Sequence, residues 1–159
     1  MTASPQPQTA AACRTPKKHR ENIGKSSDFN QNVQSMNIED FRTYCLSFKG
    51  AYEKMPFEKA ASAYDRNLLV FCVAEKWFCF VNVETFDFCN IKCAPDRIVD
   101  LQERYEGVTP AYHMNKKHWI SVHFDKDVPD RTIEDLVKQS YDLVAASLPK
   151  KERTALQVP

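Results

Sequence analysis

The chain contains 159 residues, 43% of them hydrophobic and 27% charged, which is typical of one globular domain of ordinary size. Its 22 Lys and Arg residues against 21 Asp and Glu give a formal net charge of +1, which excludes a general attraction to nucleic acid or to an anionic membrane. Only three glycines occur, so the glycine-rich phosphate loops of nucleotide-driven enzymes are absent.

The N-terminal segment, residues 1–35, contains almost no large apolar side chain, and we expect it to be disordered. It holds five Lys or Arg against two Asp or Glu, so its charge is +3 and that of the remaining chain is −2. Foldable sequence begins at Met36. Three interpretations of the segment therefore stay open: an over-extended start, a vector remnant, or a basic arm for nucleic acid.

The hydrophobic runs and the cysteines predict the cellular compartment of the protein. No apolar run approaches the 18 residues of a membrane span, and the first thirteen residues lack the basic and apolar regions of a secretory signal. Most of the six cysteines lie in hydrophobic segments. We therefore expect a cytoplasmic protein with reduced, buried thiols, no disulfide and no membrane partner.

The first helix is predicted over residues 38–48. Asn37 is a favourable N-cap, Phe41 and Cys45 continue one helical face from Ile38, and Gly50 closes the segment.

Three strands follow at residues 68–74, 76–83 and 86–93, and they form a meander. The first two strands are apolar at both odd and even positions, so both faces of the sheet are apolar there. One face packs on helices, and the other needs a partner or cover. We expect Trp77 and Phe71 to mark the face that needs cover.

The rest of the chain predicts a helix over 95–105, two extended segments at 108–114 and 118–124, and a long amphipathic helix that begins at Asp130 or Thr132 and ends at Pro149. A polar tail follows over 151–159. The expected fold class is α+β, a single compact domain over 36–150 with the order α-β(3)-α-β(2)-α.

Several short segments resemble the MmcQ/YjbR family: Lys92-Cys93-Ala94-Pro95, His113 to Trp119, Val128-Pro129-Asp130, and Leu136 to Tyr141. The resemblance runs from about Met36 to Arg153, and Asn115-Lys116 with His118-Trp119 is its most specific part. It implies a secretion-chaperone-like α+β fold with an antiparallel sheet, which agrees with the predicted element order. It also implies the label that the family carries, a predicted DNA-binding protein with a double-wing motif.

The best candidate for nucleic-acid binding is the segment around the two adjacent lysines, because lysines contact phosphates, asparagine reads bases or phosphates, and tryptophan stacks on bases. The candidate residues are Lys92, His113, Asn115, Lys116, Lys117, His118 and Trp119. A solvated turn that enters an edge strand, with Trp119 filling the core, explains these residues equally well.

Metal and cofactor chemistry finds no support in the residue spacing. His113, His118 and His123 are five residues apart, so successive ones would fall on opposite faces of a strand. Cys89 and Cys93 would lie roughly 13 Å apart along a strand. We expect no metal and no cofactor.

Nucleophilic catalysis is equally weakly indicated. Cys93, beside Lys92 at a helix start, is the best candidate for a reactive thiol, but close packing at a strand-to-helix junction explains it better. Ser140 and Tyr141 lie on the apolar stripe of the last helix, which indicates close packing and a buried phenol that needs a partner. The long side chain of Lys92 is also a candidate for packing over a Trp or Tyr ring.

The expected function is therefore a non-enzymatic binding role, with DNA as the partner that the resemblance implies. A protein-interaction or chaperone-like module that uses the apolar sheet face, through a protein partner or self-association, is the alternative. An enzyme is the weakest of the three hypotheses.

Overall fold

The computed structural model describes residues 36–157. The helices are α1 Ile38–Leu46, α2 Ala63–Arg66, α3 Pro95–Arg104, α4 Asp130–Ala146 and α5 Lys150–Leu156. The strands are β1 Ala51–Lys54, β2 Leu68–Val73, β3 Lys76–Asn82, β4 Phe88–Lys92, β5 Val108–Pro110 and β6 Trp119–His123. The prediction for residues 1–35 lies outside the described residues.

The six strands form one antiparallel sheet in the order β1-β2-β3-β4-β6-β5. The α+β class is thereby confirmed, and every element of the predicted α-β(3)-α-β(2)-α order is present. β1, α2 and α5 are additions that the sequence pattern did not predict.

Two predicted boundaries needed correction. α1 ends at Leu46, earlier than predicted, and the extended segment predicted over 108–114 is a strand only through Pro110. Within the predicted polar tail, residues 150–156 form α5 and none of them is buried. Gly50, directly before β1, has a φ of +68°, a left-handed conformation that favours glycine, and Leu156 of α5 packs over it.

One side of the sheet, here called the helical face, carries the main core. Leu69, Phe71 and Val73 of β2 point to this side, where α1 and α4 cover them. Phe41 of α1 is fully buried there and makes edge-on contacts with three other phenylalanine rings. The apolar stripe of α4 supplies most of the remaining cover.

Ser140, which lies within the apolar stripe of α4, contacts a β-bulge in β3. Phe71 pairs with Cys79 and Cys72 with Trp77, so Phe78 is an extra residue on β3. The Ser140 hydroxyl donates to the Phe78 carbonyl and accepts from the backbone N–H of Lys92 at 2.8 Å. One buried hydroxyl thus satisfies two strand backbone groups.

The opposite side, here called the loop-covered face, carries a second and smaller apolar cluster. Its buried residues are Leu68, Val70, Cys72, Phe80, Ala111 and Trp119. Tyr64 of α2 and Met114, from the segment between β5 and β6, pack over this cluster, as does the half-buried Trp77. The expectation that Phe71 marks this face is wrong, because the strand alternation turns Phe71 to the helical face.

The cysteines of the described region are all buried and unpaired: Cys45, Cys72, Cys79, Cys89 and Cys93. Their predicted burial is confirmed, while Cys13 lies outside the described residues. Among the described helices, none is both long enough and apolar enough to cross a lipid bilayer.

Candidate nucleic-acid interface

The predicted basic motif lies in the segment 111–118, here called the β5–β6 loop because it joins these two strands. The Asn115 side-chain carbonyl accepts a hydrogen bond from the Lys117 backbone N–H at 3.0 Å, and its backbone carbonyl accepts from His118 and Trp119. This is the hydrogen bonding of an Asx turn. The Lys116, Lys117 and His118 side chains are exposed to solvent.

The other end of the loop is shaped by His113, which is exposed and has a φ of +53°. Its ring lies edge-on to the Tyr112 ring, with 4.0 Å between the centroids. Met114 follows and is half-buried against the second cluster. The loop is therefore attached through Met114 and presents its polar side chains outward.

Lys92 and Trp119 form the base of the loop, since they are paired across β4 and β6. The Lys92 ammonium lies 5.8 Å from the centroid of the Trp119 ring, which confirms the predicted lysine stem over an aromatic ring. Trp119 itself is only 6% exposed and lies inside the second cluster. Its proposed role in stacking on bases is therefore wrong, because the ring is not available at the surface.

An aromatic groove lies beside the loop on the same sheet face. Its volume is about 370 Å³, and it is lined mainly by Phe57, Tyr64, Trp77, Phe80 and Tyr112. Phe57 and Trp77 meet edge-on at 5.9 Å, and Tyr64 and Tyr112 meet edge-on at 6.1 Å. Phe57 is 39% exposed and Tyr112 is 53% exposed, so two aromatic side chains are open to solvent at the groove.

A second depression, of about 520 Å³, lies on the other side of the loop. It shares Tyr112, His113 and Met114 with the aromatic groove and adds Lys116. Its other contributors include His123 of β6 and Thr109 of β5, which approach each other to 3.3 Å. The loop therefore separates two openings on one sheet face, one aromatic and one more polar.

The groove is lined by one carboxylate, Asp65, and by two phenols, Tyr64 and Tyr112. Burial, reinforced by the negative charge of Asp87, raises the pKa of Tyr64 to about 12, so this hydroxyl stays protonated at neutral pH. Asp65 is half-buried and lines the groove. A neutral, partly polar group therefore fits inside better than an anion does.

The aromatic residues of the groove were not among the predicted site residues. Tyr112 directly precedes the predicted motif, and Trp77 was singled out only as part of an apolar face. Phe57 and Tyr64 belong to a segment without a repeating hydrophobic pattern. The only available signal was the chain's excess of aromatic residues near the apolar strands.

The candidate thiol occupies a different place. Cys93 lines a cavity of about 350 Å³ between the start of α3 and α4, together with Lys92, Arg97 and Leu143. Burial raises the pKa of Cys93, and the positive charge of Arg97 opposes this only in part. At neutral pH the group is therefore a thiol and not the reactive thiolate.

The histidine spacing predicts opposite faces of a strand, but only His123 lies in a strand, whereas His113 and His118 lie in the β5–β6 loop. Among residues 36–157, no three His, Cys, Asp or Glu side chains lie close enough together to hold a metal ion. Tyr141 has a packing role, since its hydroxyl donates to the Lys49 carbonyl at 2.7 Å. The buried phenol thus has the partner that the sequence required.

Comparison with known proteins gives consistent matches. A family model described as YjbR matches residues 46–143. The chain is 31% identical over 101 residues to the uncharacterized protein YbdF of Escherichia coli O157:H7, covering 63% of this chain and 83% of that protein. It is 27% identical over 121 residues to the uncharacterized protein YjbR of Escherichia coli K12, covering 76% and 98%.

Two solved structures are similar in fold. The Deinococcus radiodurans protein DR2400, described with a DUF419 domain, has a TM-score of 0.69 and 27% identity, over 79% of this chain and 91% of that one. A Pseudomonas syringae protein has a TM-score of 0.55 and 26% identity, over 68% and 98%. The names of these proteins indicate no activity, ligand or partner.

Proposed function

The chain belongs to the YjbR family, and on that premise we propose that it is a non-enzymatic nucleic-acid-binding protein whose contact surface is the β5–β6 loop. The relatives' names give no activity, so the proposal rests on the loop itself. DNA is the partner that the sequence resemblance implies.

The observation that supports this function is the side-by-side exposure of Lys116 and Lys117 on a turn fixed by Asn115. Within the described part of the chain, neither lysine takes part in an ion pair. Their ammonium groups are therefore available to pair with an external anion. Phosphate is the anion that nucleic acids present at every position, and exposed lysines are its usual partners.

The surrounding charge limits the affinity. Apart from residues 1–35, the chain carries a formal charge of −2, so attraction is local and long-range steering is absent. Each lysine that contacts a phosphate contributes about 0.9 to the slope of log affinity against log salt concentration. We therefore expect binding that is weak and strongly salt-dependent.

The test compares two double variants of the full chain by fluorescence anisotropy on labelled oligonucleotides at several salt concentrations. Lys116→Ala with Lys117→Ala is expected to weaken binding and to flatten the salt slope by up to about 2. Lys150→Ala with Lys151→Ala is the matched control, because it removes two adjacent exposed lysines from the start of α5. Equal effects of the two double variants, or no binding by the unmodified chain, would reject the loop as the contact surface.

A second candidate function, protein binding, draws on the same sheet face. Phe57 and Tyr112 expose large aromatic surface there, as a groove for an apolar peptide would. Such binding would depend on these two rings and would tolerate the loss of both loop lysines. It would also be accompanied by self-association in light scattering or by binding of a hydrophobic dye.

A further inference from the structure

The aromatic groove is a feature that phosphate contacts alone leave unexplained. We infer that it is a subsite for unpaired nucleobases, so that the protein prefers single-stranded over double-stranded nucleic acid. This inference rests on the proposed function, and it adds the class of nucleic acid and the way in which its bases are held.

The geometry of the groove suits a flat ring. Two edge-on pairs, Phe57 with Trp77 and Tyr64 with Tyr112, line the groove together with Phe80, so aromatic rings make up most of its lining. The volume of about 370 Å³ falls within the range of small-ligand pockets, roughly 300–1,000 Å³. Aromatic side chains bind successive bases by stacking, and they tolerate any base because every base has a π-face.

The distribution of charge separates the base from its phosphate. Lys116 lines the depression on the other side of the loop, and His113 lies between the two openings. Asp65 lies in the groove itself and repels a phosphate, but its oxygens accept hydrogen bonds from the amino groups of a base. The strand backbone is therefore expected along the loop, with a base turned into the groove.

A double helix can place a base in this groove only at a cost in free energy. Its bases are already paired and stacked, and moving one out requires a few kcal/mol. Duplex DNA would therefore contact only the loop lysines, whereas a single strand would add base stacking. The preference for single strands is the property that distinguishes this inference from phosphate binding alone.

The first experiment compares three labelled oligonucleotides of equal length with the full chain at low salt: a single strand, an abasic single strand and a duplex. The abasic strand keeps the phosphates and lacks the bases. We expect the normal single strand to bind roughly 5- to 100-fold more tightly than the abasic strand, which corresponds to stacking of about one base. The duplex is expected to bind like the abasic strand.

The second experiment substitutes an exposed aromatic residue. Tyr112→Ala is expected to remove most of the advantage of the normal strand over the abasic strand, and Phe57→Ala to reduce it. Leu143→Ala is the control, because Leu143 is 42% exposed and lies on α4, away from the groove. Thermal melting of each variant verifies that the fold is intact.

Intrinsic fluorescence gives an independent readout. Trp77 lines the groove, whereas Trp119 is buried at the base of the loop. A single strand is expected to quench the tryptophan fluorescence, and the abasic strand is not. Trp77→Phe should abolish this quenching while Trp119 continues to fluoresce.

The outcomes separate the two proposals. Equal binding of all three oligonucleotides, weakened by loss of Lys116 and Lys117 and unaffected by Tyr112→Ala, would overturn the base subsite and keep the loop as a phosphate-binding surface. Binding of an unfolded polypeptide that depends on Tyr112 and not on the lysines would also overturn it. No binding of any oligonucleotide would overturn both proposals.

Discussion

The two faces of the sheet are covered in different ways. On the helical face, α4 packs against β2, β3 and β4 and α1 packs against α4, so the apolar side chains there are almost completely buried. On the loop-covered face, a four-residue helix and the β5–β6 loop cover a smaller cluster. A long amphipathic helix covers apolar surface continuously, whereas short segments leave openings between them. The aromatic groove is one such opening.

Polar residues are also distributed unequally. The buried Asn90 and Ser121 form a hydrogen bond at 2.7 Å on the loop-covered face, and Ser121 also accepts from the Tyr112 backbone N–H at 3.3 Å. This contact ties one wall of the groove to the sheet. The helical face uses its buried polar side chain, Ser140, to join helix and strands. On the helical face the buried serine thus links a helix to the sheet, whereas on the loop-covered face Ser121 holds a wall of the groove.

The largest expected difference between the faces comes from matched Phe→Ala substitutions. Phe41→Ala removes a fully buried ring with three aromatic neighbours and should lower the free energy of unfolding by about 3–5 kcal/mol. Phe57→Ala removes a ring that is partly exposed at the groove and should cost less than about 1 kcal/mol. Urea unfolding measures both values. Similar costs would contradict the distinction between the two faces.

The second comparison concerns the two buried serines. Ser140→Ala leaves the Phe78 carbonyl and the Lys92 N–H without their hydroxyl partner and should cost about 1–3 kcal/mol. Ser121→Ala loses one hydrogen bond to a side chain and a longer one from Tyr112, so about 1 kcal/mol is expected. Both are measured by chemical unfolding. A neutral Ser140→Ala would show that the bulge does not depend on this hydroxyl.

The smallest expected effect is a loss of stability at alkaline pH. The pKa of Tyr64 is raised from its ordinary value of 10.0 to about 12, because burial disfavours the phenolate. The stability contribution of the neutral phenol is therefore fully present below about pH 10 and is lost as the pH rises from about 10 to about 12. Tyr64→Phe should lose less stability over this interval than the unmodified chain does. Melting temperatures at pH 9 and pH 11 provide the measurement.

Phe57→Leu serves as the control for that experiment, because it alters the same groove without removing a titratable group. Its stability should follow that of the unmodified chain across the same pH interval. If Tyr64→Phe and Phe57→Leu change the alkaline loss of stability equally, the burial of the Tyr64 phenol is not the cause.

Local sequence patterns were sufficient to predict those elements in which the hydrophobic pattern continues over many residues. The stripe through Ile133, Leu136, Val137 and Tyr141 predicted α4, and the apolar runs of β2 and β3 predicted two covered sheet faces. Lys92 over Trp119 and the bonded phenol of Tyr141 also followed from residue chemistry. The basic motif of the candidate site was identified in the same way, because adjacent lysines and an asparagine specify an exposed turn wherever it lies.

The sequence by itself therefore determined the α+β class, the order of the main elements and the exposed lysine turn, because each depends on residues that are close along the chain. Only the tertiary structure decided that Phe71 faces the helices, that Phe78 forms a bulge closed by Ser140, and that Trp119 is buried. It also brought Phe57 and Tyr112, 55 positions apart in the sequence, into the lining of one groove. Such contacts depend on strand register and loop path, and no local pattern encodes them.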